Sequence, residues 1–260
     1  MKLLRSIAVY LYVIGKVASA PSYFKKLEAK RELLGEDGIA AETHAFGQSV
    51  AKNVLKLSGC TFEVKGKENL PKEGTALYVA NHQSYMDIVA VMSVIERPVG
   101  FVVKEELAKV PFFDKWLEQF QCVAIARGEV RKALEAILRA AKLMKGGRDM
   151  MLFPEGTRSK DGTLLNFKAG SLKAAQRGNA MIVPMAIDGA CDVMPRDKFL
   201  VHPKKITVTV FPAIPAEQVK ELDTVELALL VRNQIAGALG QEVINRAQAE
   251  QQETEDQQNG

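Results

Sequence analysis

The sequence predicts a single α/β domain with a largely parallel or mixed sheet of about seven strands covered by helices on both faces. Seven short apolar runs alternate with stretches of helical periodicity. The 260 residues are enough for one sizeable core, and 47% hydrophobic against 25% charged residues is ordinary for a globular protein. We expect an N-terminal helical, membrane-associating segment to precede this domain.

That N-terminal segment is basic and carries an apolar run. Its first 35 residues contain seven Lys or Arg against two Glu, and no charge interrupts Ile7–Ile14. The run is too short to span a bilayer, which needs ~20 apolar residues, so we expect it to lie in the interface of an anionic membrane surface. A signal peptide cleaved after Ala18-Ser19-Ala20 and an ordinary docked helix are the alternatives. A second helix is expected over Ala41–Leu57, where apolar residues recur at helical spacing.

The rest of the chain alternates between strand and helix candidates. Apolar runs bounded by turn residues predict strands at Thr61–Lys65, Thr75–Ala80, Val99–Lys104, Cys122–Ala126, Met150–Phe153, Ile182–Ile187 and Ile206–Phe211. Helical periodicity predicts helices at Met86–Ile95, Phe113–Gln119, Glu129–Met144, Lys168–Arg177 and Thr224–Ala247. The chain thus divides into an N-terminal segment (1–56), an α/β domain (57–246) and an acidic tail (247–260) that we expect to be disordered, since it lacks apolar residues.

Several functional classes lack the residues that they need. The sequence contains no His-Glu-x-x-His, no Gly-x-x-x-x-Gly-Lys and no Gly-x-Ser-x-Gly, which disfavours zinc proteases, phosphate-loop NTPases and serine hydrolases. The three histidines show no metal-ligand spacing, so no metal site is expected. Aromatic residues do not interleave with basic ones, so nucleic acid is not an expected partner. The three widely spaced cysteines are expected to be reduced.

The most informative stretch joins the second strand to the helix after it. His82 precedes Asp87 by five residues, and Ser84 is the expected N-cap, with Ser84-x-x-Asp87 as a capping box. This arrangement brings a carboxylate of the first helical turn within reach of a histidine just outside the helix. Such a pair can deprotonate a hydroxyl near neutral pH. On these residues alone, Asp87 as a simple helix cap and His82 as a loop residue remain the alternative.

A second loop follows the fifth strand. Pro154 and Gly156 force a turn where that strand stops, and the loop presents Glu155, Thr157 and Arg158 at the strand end. Arginine grips a phosphate through two parallel hydrogen bonds, and Thr157 could add a donor. The alternative is a surface turn with a solvated arginine.

Four ordered blocks together resemble the glycerolipid acyltransferase family, and within it the bacterial 1-acylglycerol-3-phosphate acyltransferases. They are Asn81–Asp87, Phe153–Ser159, the run Val103–Phe113 with Ile125-Ala126-Arg127-Gly128, and Ile182–Ala186. The resemblance extends from about Leu57 to Phe211. Gly128 departs from the pattern, since a bulkier polar residue could stand there.

The resemblance implies acyl transfer from an acyl thioester to the free hydroxyl of 1-acylglycerol 3-phosphate, giving phosphatidic acid. His82 would be the general base, oriented by Asp87. Arg127 and Arg158 would hold the acceptor phosphate, helped by Gly156, Thr157 and Lys104. Glu155 would bind the glycerol or order Arg158. The oxyanion would be stabilised by loop amides at the start of the helix, between Asn81 and Tyr85.

The implied partners are a membrane lipid substrate and either acyl-CoA or acyl carrier protein as donor, at the cytoplasmic face of the cell membrane, with no cofactor. Three alternatives stay open. The chain could acylate another acceptor, such as glycerol 3-phosphate or another lysophospholipid. It could be a non-catalytic lipid-phosphate binder, although a binder would need Arg158 and no base. It could also be a thioesterase, with water in place of the hydroxyl.

Overall fold

The computed structural model describes residues 2–126, 129–249 and 251, without the side chain of Val130. Within these residues all seven predicted strands are present, each within one residue of its predicted limits. They are β1 (Thr61–Lys65), β2 (Ala76–Ala80), β3 (Val99–Lys104), β4 (Val123–Ile125), β5 (Asp149–Leu152), β6 (Met181–Asp188) and β7 (Lys205–Val210). They form one sheet in the order β1-β7-β6-β2-β5-β3-β4.

The sheet is mixed, as predicted. Strands β2 to β6 run parallel to one another, β7 pairs antiparallel with β6, and β1 pairs parallel with β7. The parallel set therefore brings the carboxyl ends of β6, β2, β5 and β3 to a single edge. This is the edge at which open α/β sheets bind ligands.

Helices cover both faces of the sheet. They are α1 (Lys2–Glu28), α2 (Arg31–Ser58), α3 (Met86–Val94), α4 (Phe113–Gln119), α5 (Val130–Lys145), α6 (Lys173–Gly178), α7 (Ala190–Val193), α8 (Ala216–Glu221) and α9 (Thr224–Leu239). Alternate residues of β2 enter two different cores: Tyr78 packs with α2 and α3, whereas Leu77 and Val79 pack with α5, α6 and α9. A strand covered on both faces must be apolar throughout, which explains why β2 reads as a continuous apolar run.

The first helix is longer than the apolar run from which it was predicted. It continues through Lys16 and Pro21 for 27 residues, and among the described residues it is the one helix long and apolar enough to cross a membrane, judged by length and composition. The run Ile7–Ile14 is therefore only part of a helix whose full length would be enough to span. One side of α1 nevertheless packs on the protein along its length, burying Ser6, Val9, Ala20, Phe24 and Leu27.

Helix ends were predicted less well than strands. The helix expected over Thr224–Ala247 stops at Leu239, because Gly240 adopts the left-handed conformation (φ 63°) that ends helices. The stretch expected as Lys168–Arg177 is a 3₁₀ turn followed by α6. Helix α2 begins at Arg31, ten residues before its predicted start, with a kink at Gly35. Of the predicted tail, residues 250 and 252–260 lie outside the described part of the chain.

Candidate active site

Strand β2 delivers the histidine loop to the carboxyl edge of the sheet. Immediately after the strand, the Asn81 side chain takes over its pairing with β6: Oδ1 accepts from the Ile187 amide and Nδ2 donates to the Ile187 carbonyl, both at 2.8 Å. Because a side chain completes this ladder, the backbone is released to turn at His82. Sequence reasoning gave Asn81 no such role.

His82 and Asp87 form the pair expected from their spacing. His82 Nδ1–H donates to Asp87 Oδ2 at 2.7 Å, and the carboxylate is fully buried while 16% of the imidazole side chain is exposed. A carboxylate accepts, so Nδ1 carries the proton and Nε2 is left as the basic nitrogen. The buried carboxylate therefore fixes both the tautomer and the ring orientation.

The same carboxylate oxygen also organises the backbone of the loop. Asp87 Oδ2 accepts from the amides of Gln83 and Ser84 at 2.6 and 2.7 Å. The bond from the Ser84 amide to the Asp87 carboxylate is one half of the expected capping box; the Ser84 hydroxyl does not supply the other half. Helix α3 begins at Met86 after Tyr85, and the Ser84 hydroxyl donates instead to the Met194 carbonyl at 2.7 Å while accepting from the Met86 amide. Ser84 is thus a tether to the segment after α7 rather than the predicted N-cap.

The second loop is fastened to the backbone of His82 on both sides. Glu155 Oε1 accepts from the His82 amide at 2.7 Å, and the Ser159 amide donates to the His82 carbonyl at 2.8 Å. The Phe153 ring stacks on the imidazole with 4.2 Å between centroids and 18° between planes. The two motifs therefore form one unit, because β2 and β5 are neighbouring parallel strands that end at the same level.

Glu155 does not occupy the position predicted for it. It is 4% exposed, and its second oxygen accepts from the Leu165 amide at 3.2 Å. Burial raises the pKa of this carboxyl to about 8, against the opposing effect of the two amide hydrogen bonds. The predicted contact with substrate glycerol, or with Arg158, is therefore corrected: Glu155 is an internal residue that positions His82 through its backbone.

Glu155→Gln is expected to flatten the pH dependence of stability between about pH 4.5 and 8. The pKa of Glu155 is raised from its ordinary value of 4.5, so the unfolded chain releases this proton first and the folded protein loses stability as pH rises, by about 1.4 kcal/mol per pH unit. Glutamine has no such proton. Free energies of unfolding in urea at pH 5 and pH 8 measure the difference, with Glu118→Gln at an exposed site as the control. The same pH dependence in parent and Glu155→Gln would contradict this account.

The tip of the second loop lies beside the histidine loop. Gly156 has a φ of 67°, and a Cβ there would lie 3.4 Å from Lys168 Cε, so this turn favours glycine. Thr157 is partly exposed. The Arg158 guanidinium lies over the Tyr85 ring, 4.0 Å from its centroid, and Tyr85 is 55% exposed. Among the described residues this guanidinium has no hydrogen bond or ion pair, so its donors are not used within that part of the chain.

The other two predicted phosphate ligands are placed less directly. Lys104 is the exposed last residue of β3, at the same edge of the sheet. Strand β5 lies between β3, which carries Lys104, and β2, which leads to His82. The two strands are therefore two strand spacings apart, roughly 10 Å. Arg127 lies outside the described residues. The structure thus brings His82, Asp87, Gly156, Thr157 and Arg158 together and leaves Lys104 at the periphery.

Three of the expected oxyanion donors are already engaged. The amide of His82 donates to Glu155, and those of Gln83 and Ser84 donate to Asp87. These three amides are therefore unavailable for a developing oxyanion, and the expectation is corrected for them. Sequence reasoning did not assign the contacts now made by Asn81, Phe153 and Tyr85. Their position within the two motifs was the signal that could have pointed to them.

The chain resembles known proteins in sequence and in fold. Residues 61–188 match the family model described as Acyltransferase. The chain is 35% identical over 133 residues to the chloroplastic 1-acyl-sn-glycerol-3-phosphate acyltransferase LPAT1 of Arabidopsis thaliana, covering 51% of this chain and 37% of that protein. It is 28% identical over 185 residues to a 1-acyl-sn-glycerol-3-phosphate acyltransferase of Borreliella burgdorferi, covering 71% and 74%.

A solved structure extends the similarity of fold to nearly the whole chain. The crystal structure of the 1-acyl-sn-glycerophosphate acyltransferase PlsC from Thermotoga maritima superposes with a TM-score of 0.75, covering 92% of this chain and 98% of that one. At 24% identity this likeness concerns the fold. The matched region spans well under half the length of the Arabidopsis relative and about three quarters of the Borreliella one.

Proposed function

We propose, from the premise that this chain belongs to the acyltransferase family through residues 61–188, that it transfers a fatty acyl group from an acyl thioester to the free hydroxyl of 1-acylglycerol 3-phosphate. The products are phosphatidic acid and a free thiol. One observation carries the proposal: a buried carboxylate fixes His82 in its basic tautomer, and the loop that holds the backbone of His82 also carries Arg158, whose guanidinium lies over the Tyr85 ring.

The chemistry follows from the geometry of the pair. His82 Nε2 takes the proton of the acceptor hydroxyl as that oxygen attacks the thioester carbonyl. The tetrahedral intermediate then collapses, the carbon–sulfur bond breaks, and the imidazolium returns the proton to the departing thiolate. Asp87 stabilises the imidazolium that forms in between. No covalent acyl-enzyme is needed, because the deprotonated hydroxyl is itself a competent nucleophile.

Recognition of the acceptor is assigned to the arginine loop. Arg158 lies over the Tyr85 ring, a cation–π contact that would help to hold its guanidinium as a two-pronged donor. Gly156 and Thr157 lie in the same turn, Lys104 would add positive charge from the end of β3, and we assign Arg127 to the same role. The donor would be acyl-CoA or acyl carrier protein, and the proposal requires no cofactor.

The substrates reside in a bilayer, so the site must open close to a membrane. The exposed side of α1 carries Leu3, Leu4, Ile7, Leu11 and Ile14, which recur at helical spacing, while the opposite side packs on the protein. A helix docked along its length with an apolar outer stripe suits an interfacial position better than a spanning one. We place the protein at the cytoplasmic face of the cell membrane, with the basic residues of α1 against anionic headgroups.

An acceptor comparison tests this function. Purified full-length chain receives an acyl-CoA or an acyl-carrier-protein thioester together with lysophosphatidate, glycerol 3-phosphate, monoacylglycerol or no acceptor. We expect phosphatidate from lysophosphatidate and little product from the other acceptors. Preference for glycerol 3-phosphate would show that the proposed acceptor is wrong. Thioester hydrolysis that does not depend on an acceptor would indicate a thioesterase. Binding of lysophosphatidate without turnover would indicate a non-catalytic binder.

A further inference from the structure

A loop far from α1 in sequence exposes large apolar side chains beside it. In the stretch 195–200, Phe199 is 80% exposed and Leu200 is 42% exposed. A single exposed apolar residue needs no explanation, but a contiguous apolar patch on a protein surface marks an interaction site. The question is therefore whether this loop and the apolar stripe of α1 form one surface.

A buried hydrogen bond fixes the loop to the first turns of α1. The Val201 amide donates to the Ser6 hydroxyl at 2.8 Å, and both residues are at most 3% exposed. Phe199 precedes Val201 by two residues, so their Cα atoms are separated by at most about 7 Å. Ser6 sits between Leu3 and Ile7, two residues of the exposed stripe. The loop and the amino-terminal part of the stripe are thus neighbours.

The backbone of the loop holds its tip outward. Asp197 adopts a left-handed conformation (φ 62°), and the Lys198 amide donates to the Pro195 carbonyl at 3.2 Å. This tight turn is followed directly by Lys198, Phe199 and Leu200, all of them exposed. Lys198 precedes Phe199 in the sequence and Lys204 follows Leu200 by four residues, so lysines stand on both sides of the apolar pair, with the exposed Asp197 before them. Aromatic residues beside lysines are typical of membrane interfaces.

The same loop rests on the arginine loop of the active site. The Arg196 guanidinium donates to the carbonyl of Arg158, whose own side chain stacks on Tyr85. The loop is therefore joined to α1 at Ser6 and to the arginine loop at Arg158. We expect a bilayer that meets the stripe and Phe199 together to lie close to the mouth of the site.

We propose that Phe199 and Leu200 insert into the same leaflet as the outer stripe of α1, so that an anionic phospholipid bilayer is held at two points. This extends the membrane association put forward with the proposed function and rests on it. The second contact is made by the α/β domain itself. Two separated contacts fix the rotation of this domain about α1, so that Arg158 meets acceptor headgroups in the bilayer plane.

Depth-dependent fluorescence quenching tests the insertion without any turnover. Tryptophan is placed in the full-length chain at Phe199, at Leu11 as the α1 reporter, and at Leu134 of α5 as the control, which is 47% exposed. Vesicles contain phosphatidylglycerol and dibrominated phosphatidylcholine, and the signal of Trp116 in the parent is subtracted. We expect quenching at positions 199 and 11 and none at 134. Quenching at 11 without quenching at 199 would overturn the proposal.

Flotation with the same vesicles measures what the second contact contributes. Burial of one phenylalanine predicts that Phe199→Ser weakens vesicle partitioning about tenfold or more, whereas Leu134→Ser leaves it unchanged. Thermal unfolding of both variants checks that each is folded. Equal flotation of Phe199→Ser and parent would refute the insertion, as would lipid-free self-association lost in Phe199→Ser, which would assign the patch to a second copy of the chain. Quenching at 199 in a protein inactive on lysophosphatidate would overturn only the proposed function.

Discussion

Replacing His82 by Ala is expected to lower kcat by about 10²- to 10⁴-fold, the usual contribution of a general base. Among the described residues, the imidazole Nε2 is the basic atom that we propose for the acceptor hydroxyl, and Asp87 is too deeply buried to replace it. The KM for lysophosphatidate should change little, because we assign the phosphate contacts to another loop. Steady-state kinetics with saturating thioester measures both parameters.

Two controls separate loss of the base from damage to the fold. The backbone bonds from His82 to Glu155 and Ser159 do not need the imidazole, so His82→Ala should keep its thermal unfolding temperature near that of the parent. Asp87→Asn keeps the size of the side chain and removes the charge that stabilises the imidazolium, so kcat should fall in the same direction. Near-parental turnover of a folded His82→Ala protein would disprove the mechanism.

Replacing Arg158 by Lys is expected to lower kcat/KM for lysophosphatidate by roughly 10- to 100-fold, since hydrogen bonds to charged groups contribute ~1.5–3 kcal/mol. Lysine keeps the charge but loses the planar fork and the stacking on Tyr85 that aims it. With monoacylglycerol, which has no phosphate, the parent should be poor and the variant hardly worse. Kinetics with both acceptors measures the difference.

The matched control for this substitution is Arg177→Lys in the last turn of α6, where the arginine is exposed and lies before the amino end of β6, at the opposite edge of the sheet. It makes the same chemical change away from the site and should leave both acceptors unaffected. If Arg158→Lys impaired the phosphate-bearing and phosphate-free acceptors equally, Arg158 would act on the loop or the donor rather than on the acceptor phosphate.

Strands were predictable because a strand buried on both faces of the sheet needs apolar side chains at consecutive positions, and such a run is visible in the sequence. The run of β2 is apolar throughout, since Leu77 and Tyr78 enter opposite cores. Helix ends were not predictable in the same way, because they depend on single residues. Gly240, for example, adopts a left-handed conformation that ends α9 although the helical pattern continues after it. The short helices α7 and α8 offer too few turns for any periodicity to be read.

The site was predictable where it is local in sequence. His82 and Asp87 are five residues apart, so one loop and one helical turn are enough to join them. The position of Glu155 was not predictable, because its partner is a backbone amide 73 residues away that becomes unpaired only when β2 ends beside β5. A carboxylate in a motif of polar residues suggests a substrate ligand. Only the burial of Glu155 in the folded protein shows that it bonds to backbone amides instead.

The stoichiometry of the reaction tests the central claim most directly. Purified protein is given labelled acyl-CoA and lysophosphatidate, and free thiol and labelled phosphatidate are measured in the same samples over time. The account predicts one phosphatidate for each thiol released, almost no thiol without acceptor, and loss of both products in His82→Ala. Thiol release without phosphatidate, or phosphatidate formed at the parental rate by His82→Ala, would contradict it.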